Sequence, residues 1–158
     1  MNKVKSILLV CTGNSCRSIM AEGLFKKYLS EAGKAGIEVR SAGIIALDGF
    51  FPASETIEVM KDEGVDVSKY RSKHLTIDLI NKSDLILAME DIHKGHILKM
   101  SPAAEGKVHL LKEYMADNKR KYPEAAGVPD PIGKPVDFYR LSLGIIKEEV
   151  KRIVKGLE

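Results

Sequence analysis

The sequence predicts an α/β domain built on a mostly parallel sheet, and three observations carry that prediction. Short β-rich runs alternate with longer stretches of helical periodicity, the pattern of strands joined by helical crossovers. Ile7-Leu8-Leu9-Val10 is apolar without interruption, as in a strand covered on both faces. The chain has 158 residues, 44% hydrophobic and 30% charged, which suits one buried core and a single domain spanning 1–158.

The elements follow in order. After the first strand, Met20, Leu24, Phe25 and Tyr28 keep helical spacing. Ile37 to Arg40 reads as a second strand, with Ile37 and Val39 alternating against Glu38 and Arg40. Thr56 to Glu63 is helical and stops at Gly64. Asp84 to Met89 is a third strand, and Asp91 to Met100 a helix that ends before Pro102. Glu90 and Asp91 stand at its start, where acids suit the dipole. Lys107 to Leu111 is a fourth strand. Asp117 to Tyr122 and the following PEAAGVPDPIGKP show no periodicity and form a long surface loop. From Phe138 to Leu157, a helix places Leu141, Ile145, Ile146, Val150, Ile153 and Val154 on one stripe, with Gly144 a local weakness. The mixed charges of Lys147 to Lys155 read as its exposed face.

Composition excludes several classes. The net charge of +3, without a clustered basic stripe, argues against nucleic acid as a partner. Two cysteines, Cys11 and Cys16, lie close together, which excludes a disulfide framework and a four-cysteine zinc site. His74, His93, His96 and His109 show no metal-ligand pattern and are read as ordinary; neither a metal nor a cofactor is expected. The run Ile7 to Val10 is too short for a secretion signal, and no stretch approaches a membrane span. The expectation is a cytoplasmic, monomeric protein with reduced thiols.

The informative segment is Val10-Cys11-Thr12-Gly13-Asn14-Ser15-Cys16-Arg17-Ser18, between a buried strand and a helix. Open α/β sheets bind ligands there, beyond the carboxyl ends of their strands. The backbone N–H groups from Thr12 to Cys16 can turn inward as an anion nest, with Gly13 admitting close approach and the helix adding its dipole. Arg17, six positions after Cys11, can fork two phosphate oxygens. Cys11 then lies beneath the phosphate, its thiolate favoured by many donors, and is the candidate nucleophile. Ser18 can hydrogen-bond the Cys11 sulfur, and Asn14 tolerates a left-handed turn. A cysteine at a strand end is usually plain packing; the ordered Cys-x5-Arg-Ser set makes the chemical reading the stronger one. Asp130, between Pro129 and Pro131, reads alone as a turn residue. Paired with the cysteine loop, it is the candidate acid, since an arriving phosphate dianion disfavours its ionisation.

These residues resemble the low-molecular-weight protein tyrosine phosphatase family. The resemblance runs through VCTGNSCRS, the segment Val39 to Gly43 (VRSAG), the DLILAM strand and Asp130-Pro131, and so spans nearly the whole chain. It implies a three-layer α/β/α fold with a central four-stranded parallel sheet. It also implies phosphorylated proteins as partners, with neither nucleic acid nor membrane among them. Cys11 would carry a phosphocysteine intermediate, Arg17 would clamp phosphate, and Asp130 would act as general acid and base. By the same analogy Ser41 supports the loop. Cys16 is either a packing residue or, as the family suggests, a disulfide partner that protects Cys11.

Substrate choice is only partly legible. Family members acting on phosphotyrosine commonly carry Ile at the position of Ser15, and the resembling protein-arginine phosphatases carry Thr. Ser15 retains a hydroxyl, and Ile132-Gly133 stands where tyrosine-directed members often place aromatics. LAMEDIHK, LLKEYM and DPIG also resemble the arginine branch. Phe50 and Phe51 count the other way if they wall a tyrosyl ring, and not if they are partly buried loop anchors. Phosphoarginine is slightly favoured over phosphotyrosine. Two rivals rank below. Arsenate reductases on this scaffold need a further cysteine, and a silent binding module would lack Cys11, Arg17 or Asp130.

Overall fold

A computed structural model describes residues 3–116 and 127–158. The loop predicted over Asp117 to Tyr122 lies outside the described residues; the segment from Gly127 onward lies within them.

Four strands, β1 (Ser6–Cys11), β2 (Glu38–Gly43), β3 (Leu85–Ala88) and β4 (Val108–Leu110), form one parallel sheet in the order β2-β1-β3-β4. Every residue of β1 is buried, as its unbroken apolar run requires of a central strand. Its alternate side chains feed two cores. Ile7, Leu9 and Cys11 pack with helices α1 (Arg17–Glu31), α2 (Ser54–Asp62) and α5 (Val136–Gly156). Leu8 and Val10 pack on the other face with Leu79 and Ile80 of α3 (Ile77–Lys82) and Ile97 of α4 (Asp91–Met100). The result is the three-layer arrangement, with β1 at its centre and the end of β1 opening onto the cysteine loop.

Four details depart from the sequence reading. The second strand extends to Gly43, because its pairing with β1 continues through Cys11 opposite Gly43. Helix α3 was not anticipated: only Ile80 is buried, so it carries no apolar stripe, although Thr76 caps it by accepting the Leu79 N–H at 3.2 Å. On α5, which runs unbroken through Gly144, Leu141 is exposed and Leu143 takes its place in the core. The mixed-charge face is also not wholly solvated. Glu149 is buried, and Arg152 donates to it through Nε at 2.7 Å and to the Tyr114 and Leu111 carbonyls at 2.5 and 3.2 Å, tying the turn after β4 to α5.

Candidate active site

The loop joining β1 to α1 is held from outside by its carbonyls. Ile44 and Ile45 donate N–H bonds to the Cys11 and Thr12 carbonyls at 3.0 and 3.1 Å. The Ser15 carbonyl accepts from Ala53 N–H and from the Thr56 hydroxyl, both at 3.1 Å. Among the described residues, no N–H of residues 12–16 donates to a protein acceptor. Carbonyls held from outside leave these amides available to an anion, at the N-terminus of α1 where the dipole adds to them. Gly43 permits the packing. A Cβ there would stand 2.5 Å from the Thr12 carbonyl oxygen and 2.8 Å from the Asn14 nitrogen. At Gly13 a Cβ would meet only Ser15 Oγ at 3.8 Å, so the crowding of this loop falls on Gly43.

Hydrogen-bond directions around Cys11 follow from one backbone amide. Asn14 takes the left-handed conformation expected of it, with φ 52°. Its Oδ1 accepts the Lys73 N–H at 2.9 Å, which leaves Nδ2 as the donor. Nδ2 donates to Ser18 Oγ at 2.7 Å and to Ser41 Oγ at 3.0 Å. Ser18 Oγ lies 2.9 Å from Cys11 Sγ, and because its other partner, Asn14 Nδ2, can only donate, the hydroxyl proton is available to the sulfur once that is a thiolate; Ser41 donates to Glu22 Oε1 at 2.5 Å.

Arg17 is 2% exposed, and both terminal nitrogens of its guanidinium are engaged. Nη1 donates to Glu90 Oε2 at 2.5 Å and to the Val128 carbonyl at 2.8 Å. Nη2 reaches Thr12 Oγ1 and Asp130 Oδ2, each at 3.4 Å. Nη1 is therefore committed to the scaffold, and Nη2 is the edge that meets the nest. Asp130 keeps its turn geometry as well: its Oδ1 accepts the Ile132 N–H at 3.1 Å. The segment bearing it is anchored on both sides, by Val128 N–H to the Met89 carbonyl at 2.9 Å and by the Ser142 hydroxyl to the Pro129 carbonyl at 2.8 Å.

His93, read from the sequence as ordinary, belongs to this site. It is completely buried. Its Nδ1 accepts the Glu90 N–H at 3.0 Å, so the neutral ring carries its proton on Nε2, which donates to Thr12 Oγ1 at 2.8 Å. Burial, and then the Arg17 charge, push its pKa down to about 4, against the opposing pull of Glu90 and Asp130. The unfolded chain takes up a proton on this ring as pH falls below about 6.5, and the fold resists it. His93 thus contributes stability that is present above pH 6.5 and lost as pH falls towards 4. Between pH 7.5 and 5, its share of the loss is about 2 kcal/mol. Urea denaturation at the two pH values, with His93→Gln beside the parent chain, checks this; a parent loss no greater than that of the variant contradicts it.

The chain matches known proteins over nearly its whole length. Residues 6–158 match the model of the family described as low molecular weight phosphotyrosine protein phosphatase. The chain belongs to that family. The probable low molecular weight protein-tyrosine-phosphatase EpsP of Ralstonia nicotianae is 36% identical over 98% of this chain and 92% of its own. The protein-arginine-phosphatase of Bacillus subtilis is 33% identical over 96% of each chain. The low molecular weight protein tyrosine phosphatase from T. tengcongensis superposes with a TM-score of 0.87 at 35% identity, covering 96% of this chain and 99% of that one.

In this low molecular weight phosphatase, the predicted loop residues Cys11, Thr12, Gly13, Asn14, Ser15, Cys16, Arg17 and Ser18 are one structural unit, and Asp130 joins them through Arg17. Ser41 supports the loop through Asn14, as the resemblance implied. Cys16 is buried, and burial pushes its thiol up despite the Ser15, Thr56 and Tyr139 hydroxyls around it. Of the candidate selectivity residues, Ser15 is half-buried in the loop, whereas Phe50 (59% exposed) and Ile132 (55%) lie at the surface, as does Phe51 (67%). The two phenylalanines are therefore not buried anchors, and Arg71 already stacks on Phe51 at 4.0 Å. Sequence reasoning missed Gly43, the Lys73 amide, the Val128 carbonyl and His93, and gave Glu90 only the helix start. Glu90 does cap α4, and its spacing to His93 forms a reciprocal capping box. That spacing is the one signal that could have found the pair. Among the described residues, no helix is long and apolar enough to cross a membrane.

Proposed function

We propose that the chain hydrolyses phosphorylated protein side chains through a phosphocysteine on Cys11. The observation that carries this reading is the Ser18 hydroxyl 2.9 Å from Cys11 Sγ, beside loop amides that have no protein acceptor. The Cys11 thiolate attacks phosphorus, forming an S–P bond as the bond to the leaving atom breaks. The loop amides and Arg17 Nη2 stabilise the charge on the transferring group. Asp130 gives its proton to the leaving oxygen or nitrogen. It then takes a proton from water as water attacks phosphorus and Cys11 departs as thiolate, received by Ser18. Cys16 is the reserve thiol. If peroxide converts Cys11 to a sulfenic acid, the Cys16 thiol condenses with it, forming a disulfide and releasing water.

Phosphoarginine is the favoured substrate, with phosphotyrosine second. The Ser15 hydroxyl lies within the loop, 3.5 Å from Cys16 Sγ, where a polar wall suits a guanidinium better than a ring. Ile132 and Gly133 add no aromatic beside Asp130. The exposed ring of Phe50 is what favours the second reading. Peptides of one sequence bearing either phosphoarginine or phosphotyrosine test the choice. The parent chain is expected to show the higher kcat/KM on phosphoarginine, and Ser15→Ile to shift the ratio towards phosphotyrosine by roughly tenfold or more. Turnover of phosphotyrosine alone by the parent chain overturns the preference and leaves the phosphatase reading in place.

A further inference from the structure

Thr12 carries a hydroxyl whose two acceptor positions are both occupied. His93 Nε2–H fills one at 2.8 Å, and its direction is not a choice: the Glu90 amide can only donate to Nδ1, so the ring proton must sit on Nε2. Arg17 Nη2 donates to the same oxygen at 3.4 Å. An oxygen that accepts twice has only its own proton left to offer, and no described residue receives it. Thr12 begins the loop directly after Cys11, and its hydroxyl shares Arg17 Nη2 with Asp130. Without His93, the same hydroxyl is free to turn towards Arg17 or solvent and present a lone pair, which repels a phosphoryl oxygen.

We propose that the Thr12 hydroxyl donates its proton to an oxygen of the phosphoryl group in the loop, and that His93 is the positioning residue that aims it. This rests on the reading of the loop as a phosphoryl site. It adds a side-chain donor to the backbone amides and gives the buried histidine a role in the reaction rather than in packing alone. Because the donor is neutral and its orientation is preset, it costs little reorganisation when charge develops on the transferring group.

The test uses the full chain with p-nitrophenyl phosphate as substrate and inorganic phosphate as inhibitor. Thr12→Val, which keeps the shape and removes the hydroxyl, is expected to lower kcat/KM and to raise the phosphate inhibition constant, each by roughly tenfold or more. Thr12→Ser, which keeps the hydroxyl, is expected to restore both. His93→Leu should reproduce the Thr12→Val loss, and the double variant should lose little more than either single change. His93→Gln, which retains an N–H donor and an acceptor, should recover much of it. A Thr12→Val variant with both constants within about twofold of the parent overturns the proposal, as does a Thr12→Ser variant as impaired as Thr12→Val. The Thr12 pair decides the matter even if His93→Leu does not fold. If the parent chain neither hydrolyses the aryl ester nor responds to phosphate, the phosphatase reading itself falls, and this proposal with it.

Discussion

Cys11→Ser is expected to reduce turnover by roughly 10⁴-fold or more, the scale seen when the nucleophile of an interdependent set is removed. The serine oxygen would stand where Sγ now lies 2.9 Å from the Ser18 hydroxyl. A serine hydroxyl is a far weaker acid than a thiol, so the alkoxide that attack would need lies far higher in energy. The amides of residues 12–16 and the Arg17 contacts do not depend on the sulfur, so the variant should still bind inorganic phosphate. Steady-state hydrolysis of p-nitrophenyl phosphate, with phosphate binding by calorimetry, separates the two effects. Residual turnover above about a hundredth of the parent's would remove Cys11 from its proposed role.

Arg17→Lys is expected to be nearly as severe, with kcat falling roughly 10³-fold and phosphate inhibition weakened. Charge is retained in this exchange, but the fork is not. Nη1 alone serves Glu90 and the Val128 carbonyl, and Nη2 alone serves Thr12 and Asp130. One ammonium cannot serve both sides. If it stays with Glu90 and Val128, the site loses its cation. If it turns to the site, a buried carbonyl and a carboxylate lose their partner, a loss of about 1–3 kcal/mol in stability. Thermal melts beside the kinetics tell these apart. A Lys variant with more than a tenth of parental kcat would mean that the loop amides suffice without the fork.

Much of the architecture was legible because it rests on patterns local to the chain. The unbroken Ile7 to Val10 run places β1 at the centre of the sheet, and Cys-x5-Arg-Ser after it places the site. Asn14 was legible for the same reason: its left-handed turn is a property of the residue type. What was not legible is carried by the backbone or by distant pairs. The Lys73 amide that orients Asn14, and the Val128 carbonyl that holds Arg17, have no side-chain signature at all. Gly43 is demanded by the Thr12 carbonyl, a neighbour that only strand pairing creates. His93 lies 81 residues from Thr12, and a search for metal-ligand spacing passes over a histidine whose partner is a hydroxyl. Leu141 failed because helical periodicity fixes a stripe only to within a residue or so of its edge, and Leu143 lay on the other side of that edge.

The Asn14 bond to Lys73 bears on how the molecule comes into being. The cysteine loop is complete in the chain by Ser18, but the groups that arm it arrive much later: the Lys73 amide, then Glu90 and His93, then the Val128 carbonyl. Parallel pairing of β1 with β2 and β3 likewise waits for residues 38–43 and 85–88. In a chain synthesised from its N-terminus, Cys11 therefore spends most of that time with no oriented Ser18 and no seated Arg17 beside it. The loop takes its final shape only with closure of the tertiary structure, so the first part of the chain to be made is the last part of the site to be set.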